Sequence, residues 1–99
     1  MNNEVVLLLQ QLIRNQCVND GTPESGHEYR SVATLRDFFG PAGEVFEPYL
    51  GRQSLYYRIP GSDPDAPSLG LAPHLDVVPV EAAGWSQDPF GAEIVDGFI

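Results

Sequence analysis

The sequence predicts an α/β fold, and three observations carry that prediction. Two segments near the start place apolar side chains at helical spacing, and residues 44–59 are rich in β-branched and aromatic side chains. Residues 69–79, "LGLAPHLDVVP", form an apolar run interrupted only by His74 and Asp76. The expected order is helix, helix, strand, strand, strand, hairpin. The 99 residues suit one small domain, or a piece of a larger one.

The first helix is expected over residues 2–16. Val5, Val6, Leu8, Leu9, Leu12 and Ile13 share one face, Asn2 or Asn3 serves as N-cap, and Glu4 sits where the helix dipole favours a negative charge. Cys17, late in that apolar segment, reads as a small buried hydrophobe. "VNDGTPES" breaks the pattern through Gly21 and Pro23. Ser25 and Glu28 have the spacing of a capping box and predict a second helix from that point. Its apolar face is Tyr29, Val32, Leu35, Phe38 and Phe39, and Gly40-Pro41 ends it. His27 would lie in its first turn as a solvated residue. Ser25 is a cap rather than a nucleophile, since no Gly-x-Ser-x-Gly elbow surrounds it.

"EVFEPYL" and "RQSLYYRI" read as short strands separated by Gly51. Arg52 and Arg58 fit exposed strand positions or a carboxylate clamp equally well. "PGSDPDAP" is a polar loop in which Asp63 and Asp65 supply turn chemistry; a calcium loop would need further ligands and a Gly and Glu at set positions. Residues 69–79 are expected to be a buried strand. Trp85 and Phe90, in the connection that follows, are expected to pack that connection onto the body of the domain, with the lining of a substrate cleft as the alternative. "AEIV-DG-FI" reads as a hairpin whose second strand has barely begun.

Composition narrows the function classes. No run approaches the ~18 apolar residues of a membrane helix, and the start lacks the basic residues and cleavage site of a signal peptide. A single cysteine excludes an internal disulfide and a Cys-based zinc site, and fits a reducing cytoplasm. The formal charge of −9, with five dispersed arginines and no lysine, argues against a nucleic-acid partner. That acidity predicts solubility and attraction for cations, but names no substrate.

His74 and Asp76 are the residues that call for an explanation. Burying such groups without partners costs roughly 2–7 kcal/mol each. On a strand they project to the same side, with Leu75 and Val77 on the other. They lie towards the C-terminal end of the run, where α/β sheets usually place ligands. A histidine there binds a divalent metal through one ring nitrogen while a nearby carboxylate orients the ring. The pair alone fits equally a structural hydrogen bond at a strand end. Pro73, which has no N–H, implies a strand end, an edge or a local distortion at this point.

Context favours the metal. "HLDVVP", followed in order by Trp85, Asp88-Pro89-Phe90 and Asp96-Gly97-Phe98-Ile99, closely resembles the first motif region of the zinc-dependent exopeptidase and aminoacylase family. That family includes glutamate carboxypeptidase, yeast carboxypeptidase S, aminoacylase, acetylornithine deacetylase and succinyl-diaminopimelate desuccinylase. The resemblance covers essentially the whole chain, with its informative core at residues 69–99. It implies that residues 1–99 are the N-terminal, incomplete portion of a zinc-exopeptidase-type catalytic domain: two helices followed by strands and a truncated hairpin, with no second domain. By the same resemblance His74 matches the first zinc ligand, and Asp76 the catalytic-site aspartate that orients its ring. The family's two zinc ions share a bridging aspartate and a bridging water, and a glutamate acts as general base. The metals lower the pKa of that water and polarise the scissile amide carbonyl. The bridging aspartate follows a Gly-Arg-Gly segment that the resemblance puts just past Ile99.

The expected parent is therefore a cytoplasmic zinc hydrolase acting on a peptide or N-acyl amino acid with a free α-carboxylate. A hydrolytic zinc site takes three protein ligands and an open position, and the family set gives this chain one. The 99 residues alone are expected to hold zinc weakly and to be catalytically silent. The rival reading is a small non-enzymatic α/β module that binds a partner, or a second copy of itself, through an exposed apolar edge such as "AEIVDGFI".

Overall fold

The computed structural model describes residues 3–99; Asn2, one of the two expected caps, lies outside them. Helix α1 spans Glu4–Arg14 and helix α2 Tyr29–Phe39, followed by strands β1 (Glu44–Tyr49) and β2 (Arg52–Tyr56) and a single 3-10 turn at Ala82–Gly84. The α/β class stands, as two helices beside a two-stranded antiparallel sheet.

Both helices are shorter than their apolar periodicity predicts, and backbone conformation explains why. Asn3 makes no side-chain cap on α1; its carbonyl accepts the Leu7 N–H at 2.9 Å. Gln16, with φ +51°, turns the chain out of the helix and frees residues 17–19 to run extended. The expected capping box does not form. Gly26 and His27 have φ of +84° and +53°, so a helix cannot pass through them, and α2 starts at Tyr29 with Glu28 as its uncapped N-cap. His27 thus precedes the helix, half-buried with its ring edge-on to Tyr29. Ser25 belongs to the preceding turn, where its hydroxyl accepts the Asp20 N–H at 3.1 Å and donates to the Thr22 carbonyl at 2.8 Å.

Glu28 is released from capping for a different role. Its carboxylate receives the Arg52 Nε–H, with oxygens at 2.8 and 3.0 Å, tying the start of α2 to the start of β2. Arg52 also donates through Nη1 to the Thr22 carbonyl at 3.2 Å. It is therefore an internal carboxylate clamp, whereas Arg58 is exposed. Tyr57 donates its hydroxyl to the Gly40 carbonyl at 2.5 Å and packs against the Phe39 ring, fixing the far end of α2 to the strand pair.

The buried centre is small and partly polar. Cys17, Val32 and Ala92 are its apolar members among the described residues, with Ser31 and Glu28 buried beside them. Cys17 is buried as expected, but on the extended segment after α1 rather than within it. Its sulfur lies 3.2 Å from the Ser31 hydroxyl and donates to the His27 carbonyl at 3.4 Å. Asn15 bridges the helices, donating to the hydroxyls of Ser31 and Thr34 at 3.2 and 3.0 Å.

Strands β1 and β2 pair in antiparallel register, Glu44 with Tyr56 and Val45 with Leu55. The register slips between Phe46 and Tyr49, at Pro48, which has no N–H to give to a ladder. The expected buried strand over residues 69–79 is absent. The segment is extended but unpaired except for one parallel bridge, Val18 to Val77, and Leu69 and Leu71 are 85% and 83% exposed. A parallel strand needs a neighbour along its length, and β2 is paired with β1 alone among the described residues.

The connection after it docks differently from expectation. Trp85 is 55% exposed and does not anchor it. The anchor is the turn Asp88-Pro89-Phe90-Gly91, which has the preferred residues of a type I turn at its first, second and fourth positions. The Gly91 N–H returns to the Asp88 carbonyl at 3.1 Å, and the Phe90 N–H to the Asp88 carboxylate at 3.0 Å. Helix α1 grips its exit: Arg14 Nε donates to the Gly91 carbonyl at 3.0 Å and Gln10 Nε2 to the Ala92 carbonyl at 2.8 Å. The expected hairpin forms as a single pair, Val95 with Phe98, bonded both ways at 2.9 Å. Asp96 and Gly97, with φ of +51° and +83°, supply the left-handed pair such a two-residue turn requires. The Asp63 turn also forms, its carboxylate accepting the Asp65 N–H at 3.0 Å.

The result is an open arrangement. The radius of gyration is 16.0 Å, against about 13 Å for a compact domain of this length. No helix among the described residues is long and apolar enough to cross a membrane.

Two predictions follow from the loop between the helices. An added Cβ on Gly26 would sit 2.5 Å from Glu28 Oε1 and 2.6 Å from Arg52 Nε, whereas one on Gly21, at φ +93°, would meet open space. Gly26→Ala and Gly21→Ala share a left-handed penalty of about 1–2 kcal/mol. Gly26→Ala is expected to lower the urea midpoint further, because it also displaces the ion pair; equal losses would count against this role for the pair. The second concerns acid. The Thr22 hydroxyl, at 2.6 Å, and then the Thr22 N–H hold the Asp20 carboxyl below its ordinary value of 3.8. Its contribution to stability is therefore present above that value and is lost as pH falls through the lower folded one. Asp20→Asn, which keeps the acceptor, is expected to flatten the fall in urea midpoint below pH 3.8; an unchanged slope would assign that fall to other carboxylates.

Candidate functional site

The site is built where the extended run 69–79 bridges to the segment after α1. The Val77 N–H donates to the Cys17 carbonyl at 2.9 Å, and the Asn19 N–H donates to the Val77 carbonyl at 2.8 Å. Residues 17–19 are available because Gln16 ends α1, and Asn19 is held by its own turn, its Oδ1 accepting the Gly21 N–H at 2.9 Å. Asn19 Nδ2 donates to Asp76 Oδ2 at 2.8 Å.

Asp76 in turn meets His74. His74 Nδ1 lies 2.7 Å from the Asp76 carbonyl and 3.1 Å from Asp76 Oδ1. Both oxygens only accept, so in the neutral ring Nδ1 carries the hydrogen and Nε2 keeps its lone pair. The His74 side chain is 83% exposed, and Nε2 has no protein partner among the described residues. The Asn19 amide is the largest influence holding the Asp76 carboxyl below its ordinary range, outweighing partial desolvation; the Asp76 N–H and the His74 ring act in the same direction. The two expected site residues are thus brought together, on an extended exposed segment rather than a buried strand.

This is the arrangement a metal-binding imidazole uses, with one nitrogen donating to a carboxylate or carbonyl and the other free to coordinate. It fits a single ligand position. Among the described residues no three His, Cys, Asp or Glu side chains stand together as a cage, so the pair by itself supports no hydrolytic step. The surface depressions lined by Ala33, Arg36 and Pro41, and by Gln16, Asp20 and Arg30, include neither His74 nor Asp76.

Asn19 is the residue that the sequence pattern does not single out. Its local signal, Asn-Asp-Gly, announces a turn but says nothing of a partner 57 positions away.

Known proteins match this chain in sequence. A succinyl-diaminopimelate desuccinylase of Rhodospirillum rubrum is 52% identical over 46 residues, covering 46% of this chain and 11% of the relative. Succinyl-diaminopimelate desuccinylase 2 of Ruegeria sp. (strain TM1040) is 35% identical over 95 residues, which is 95% of this chain and 23% of that protein. An N-fatty-acyl-amino acid synthase/hydrolase of Danio rerio is 41% identical over 51 residues, 50% of this chain and 10% of the relative. The chain therefore spans less than a quarter of the length of these relatives. No family model and no solved structure matches it. With the Ruegeria protein aligned along nearly the whole chain and the other two along about half of it, these similarities support the resemblance to the exopeptidase and aminoacylase family.

Proposed function

We propose that these residues form the first part of the catalytic domain of a cytoplasmic, zinc-dependent hydrolase that cleaves the amide bond of an N-acyl amino acid or small peptide. The observation that carries this reading is the His74–Asp76 pair, with Nδ1 donating to Asp76 and Nε2 unpartnered. In it, His74 is one zinc ligand and Asp76 fixes the ring's orientation and raises its basicity. The remaining ligands of a two-zinc centre would come from outside the described residues. When bound, zinc would supply an activated water and a polarised amide carbonyl.

The names of the relatives support the substrate class, since a desuccinylase and an N-fatty-acyl-amino acid hydrolase both act on an acylated amino group. The unpaired, buried Cys17 is compatible with a reducing compartment. Catalysis by the 99 residues alone is not part of the proposal, because one imidazole does not make a hydrolytic centre.

The test is an assay of N-succinyl and N-acyl amino acid hydrolysis, with added zinc, on two proteins: the 99-residue chain and the product of the longest reading frame containing it. The longer product is expected to hydrolyse at least one substrate, and His74→Ala to lower its kcat/KM by more than about 100-fold. The short chain is expected to show no turnover. Zinc-dependent hydrolysis by the short chain, or full activity in His74→Ala, would overturn the reading.

A further inference from the structure

The His74–Asp76 pair hangs on an exposed segment with one bridge to the body, so something must hold the carboxylate in place. We propose that Asn19 is a positioning residue: its side-chain amide locks the Asp76 carboxylate so that Oδ1 stays on His74 Nδ1 and Nε2 stays free for a metal. The inference deepens the zinc-ligand reading of His74 and rests on it for its functional meaning.

The geometry is continuous. The Gly21 N–H donates to Asn19 Oδ1 at 2.9 Å, which fixes the plane of the amide. The other end of that plane, Nδ2, donates to Asp76 Oδ2 at 2.8 Å. A carboxylate held through Oδ2 can no longer rotate its Oδ1 away from the ring, where Oδ1, 3.1 Å from Nδ1, adds to the Asp76 main-chain carbonyl at 2.7 Å. The Asn19 main chain fixes the same segment, donating to the Val77 carbonyl at 2.8 Å. One residue thus sets both the register of the segment and the orientation of its carboxylate. Serine or threonine at this position would reproduce the turn acceptor but would not span to Asp76. Aspartate would keep the acceptor and set a second negative charge against the first.

That asymmetry supplies the experiment. Asn19→Asp preserves the acceptor for Gly21 and removes the donor to Asp76; Asn19→Ser also keeps an acceptor and adds no charge. The His74 tautomer is read by two- and three-bond proton–nitrogen NMR correlation at about pH 8, where an ordinary imidazole is neutral, with circular dichroism to confirm the fold. Zinc is then titrated while the ring signals are followed.

The wild type is expected to carry its proton on Nδ1. In both variants the Nε2–H form is expected to rise several-fold with helix content unchanged, more in Asn19→Asp. Zinc affinity at the ring is expected to weaken about 10-fold. A tautomer unchanged in folded variants would overturn the proposal, as would loss of the fold in both, which would make Asn19 a structural residue only. If the tautomer shifts but zinc never perturbs the wild-type ring, positioning of the ring stands and the metal reading of His74 fails.

Discussion

The bridge between residues 17–19 and Val77 is the contact on which the rest of the site depends. Its three hydrogen bonds, two from the backbone and one from Asn19 to Asp76, attach an otherwise exposed segment to the buried centre around Cys17, Val32 and Ser31. Hydrogen bonds of this kind contribute about 1 kcal/mol each, so the attachment is modest, and the segment is expected to open locally rather than only with global unfolding. The bridge exists because Gln16 leaves the helix with a left-handed turn and lets Cys17 and Val18 run extended. Without that exit, no backbone would lie in position to receive Val77, and His74 would have no fixed place relative to the helices.

The motif region divides into two physical roles. His74 and Asp76 present chemistry, with a bare ring nitrogen facing solvent. Asp88-Pro89-Phe90-Gly91 and Asp96-Gly97 are turns, and the first is held by Gln10 and Arg14 of α1 through its exit carbonyls. Helix α1 therefore braces the segment downstream of the site while its own C-terminal exit braces the site itself. Two contacts far apart in sequence place the same helix behind both ends of the stretch from Asp76 to Ala92.

The elements governed by local chemistry were legible in the sequence. Helices α1 and α2, though shorter than their patterns predict and with Val5, Leu9, Tyr29, Phe38 and Phe39 of their apolar faces exposed, the paired strands, the Asp63 turn and the Asp-Gly turn at 96–97 all form where their residue patterns lead. The errors fall where distant partners decide. Ser25 and Glu28 have capping-box spacing, but Gly26 and His27 turn left-handed and Glu28 is taken by Arg52. The run 69–79 has the composition of a buried strand, yet burial of a strand is a property of its neighbours, and its one strand-like bridge is Val77 with Val18. The meeting of His74 and Asp76 was readable from their spacing of two. The hold that Asn19 has on Asp76 was not, because a turn-forming asparagine gives no sign of where its second amide hydrogen goes.

The most direct measurement is amide hydrogen exchange across the bridge. If residues 17–19 and Val77 hold the site to the body, the Val77 and Asn19 amides will be protected and will exchange far more slowly than those of Leu69 and Leu71 on the same exposed segment. Val77 exchanging as fast as Leu71, while the α2 amide of Val32 remains protected, would mean that the segment is not attached. His74 would then ride on a free segment, with no fixed place relative to the helices.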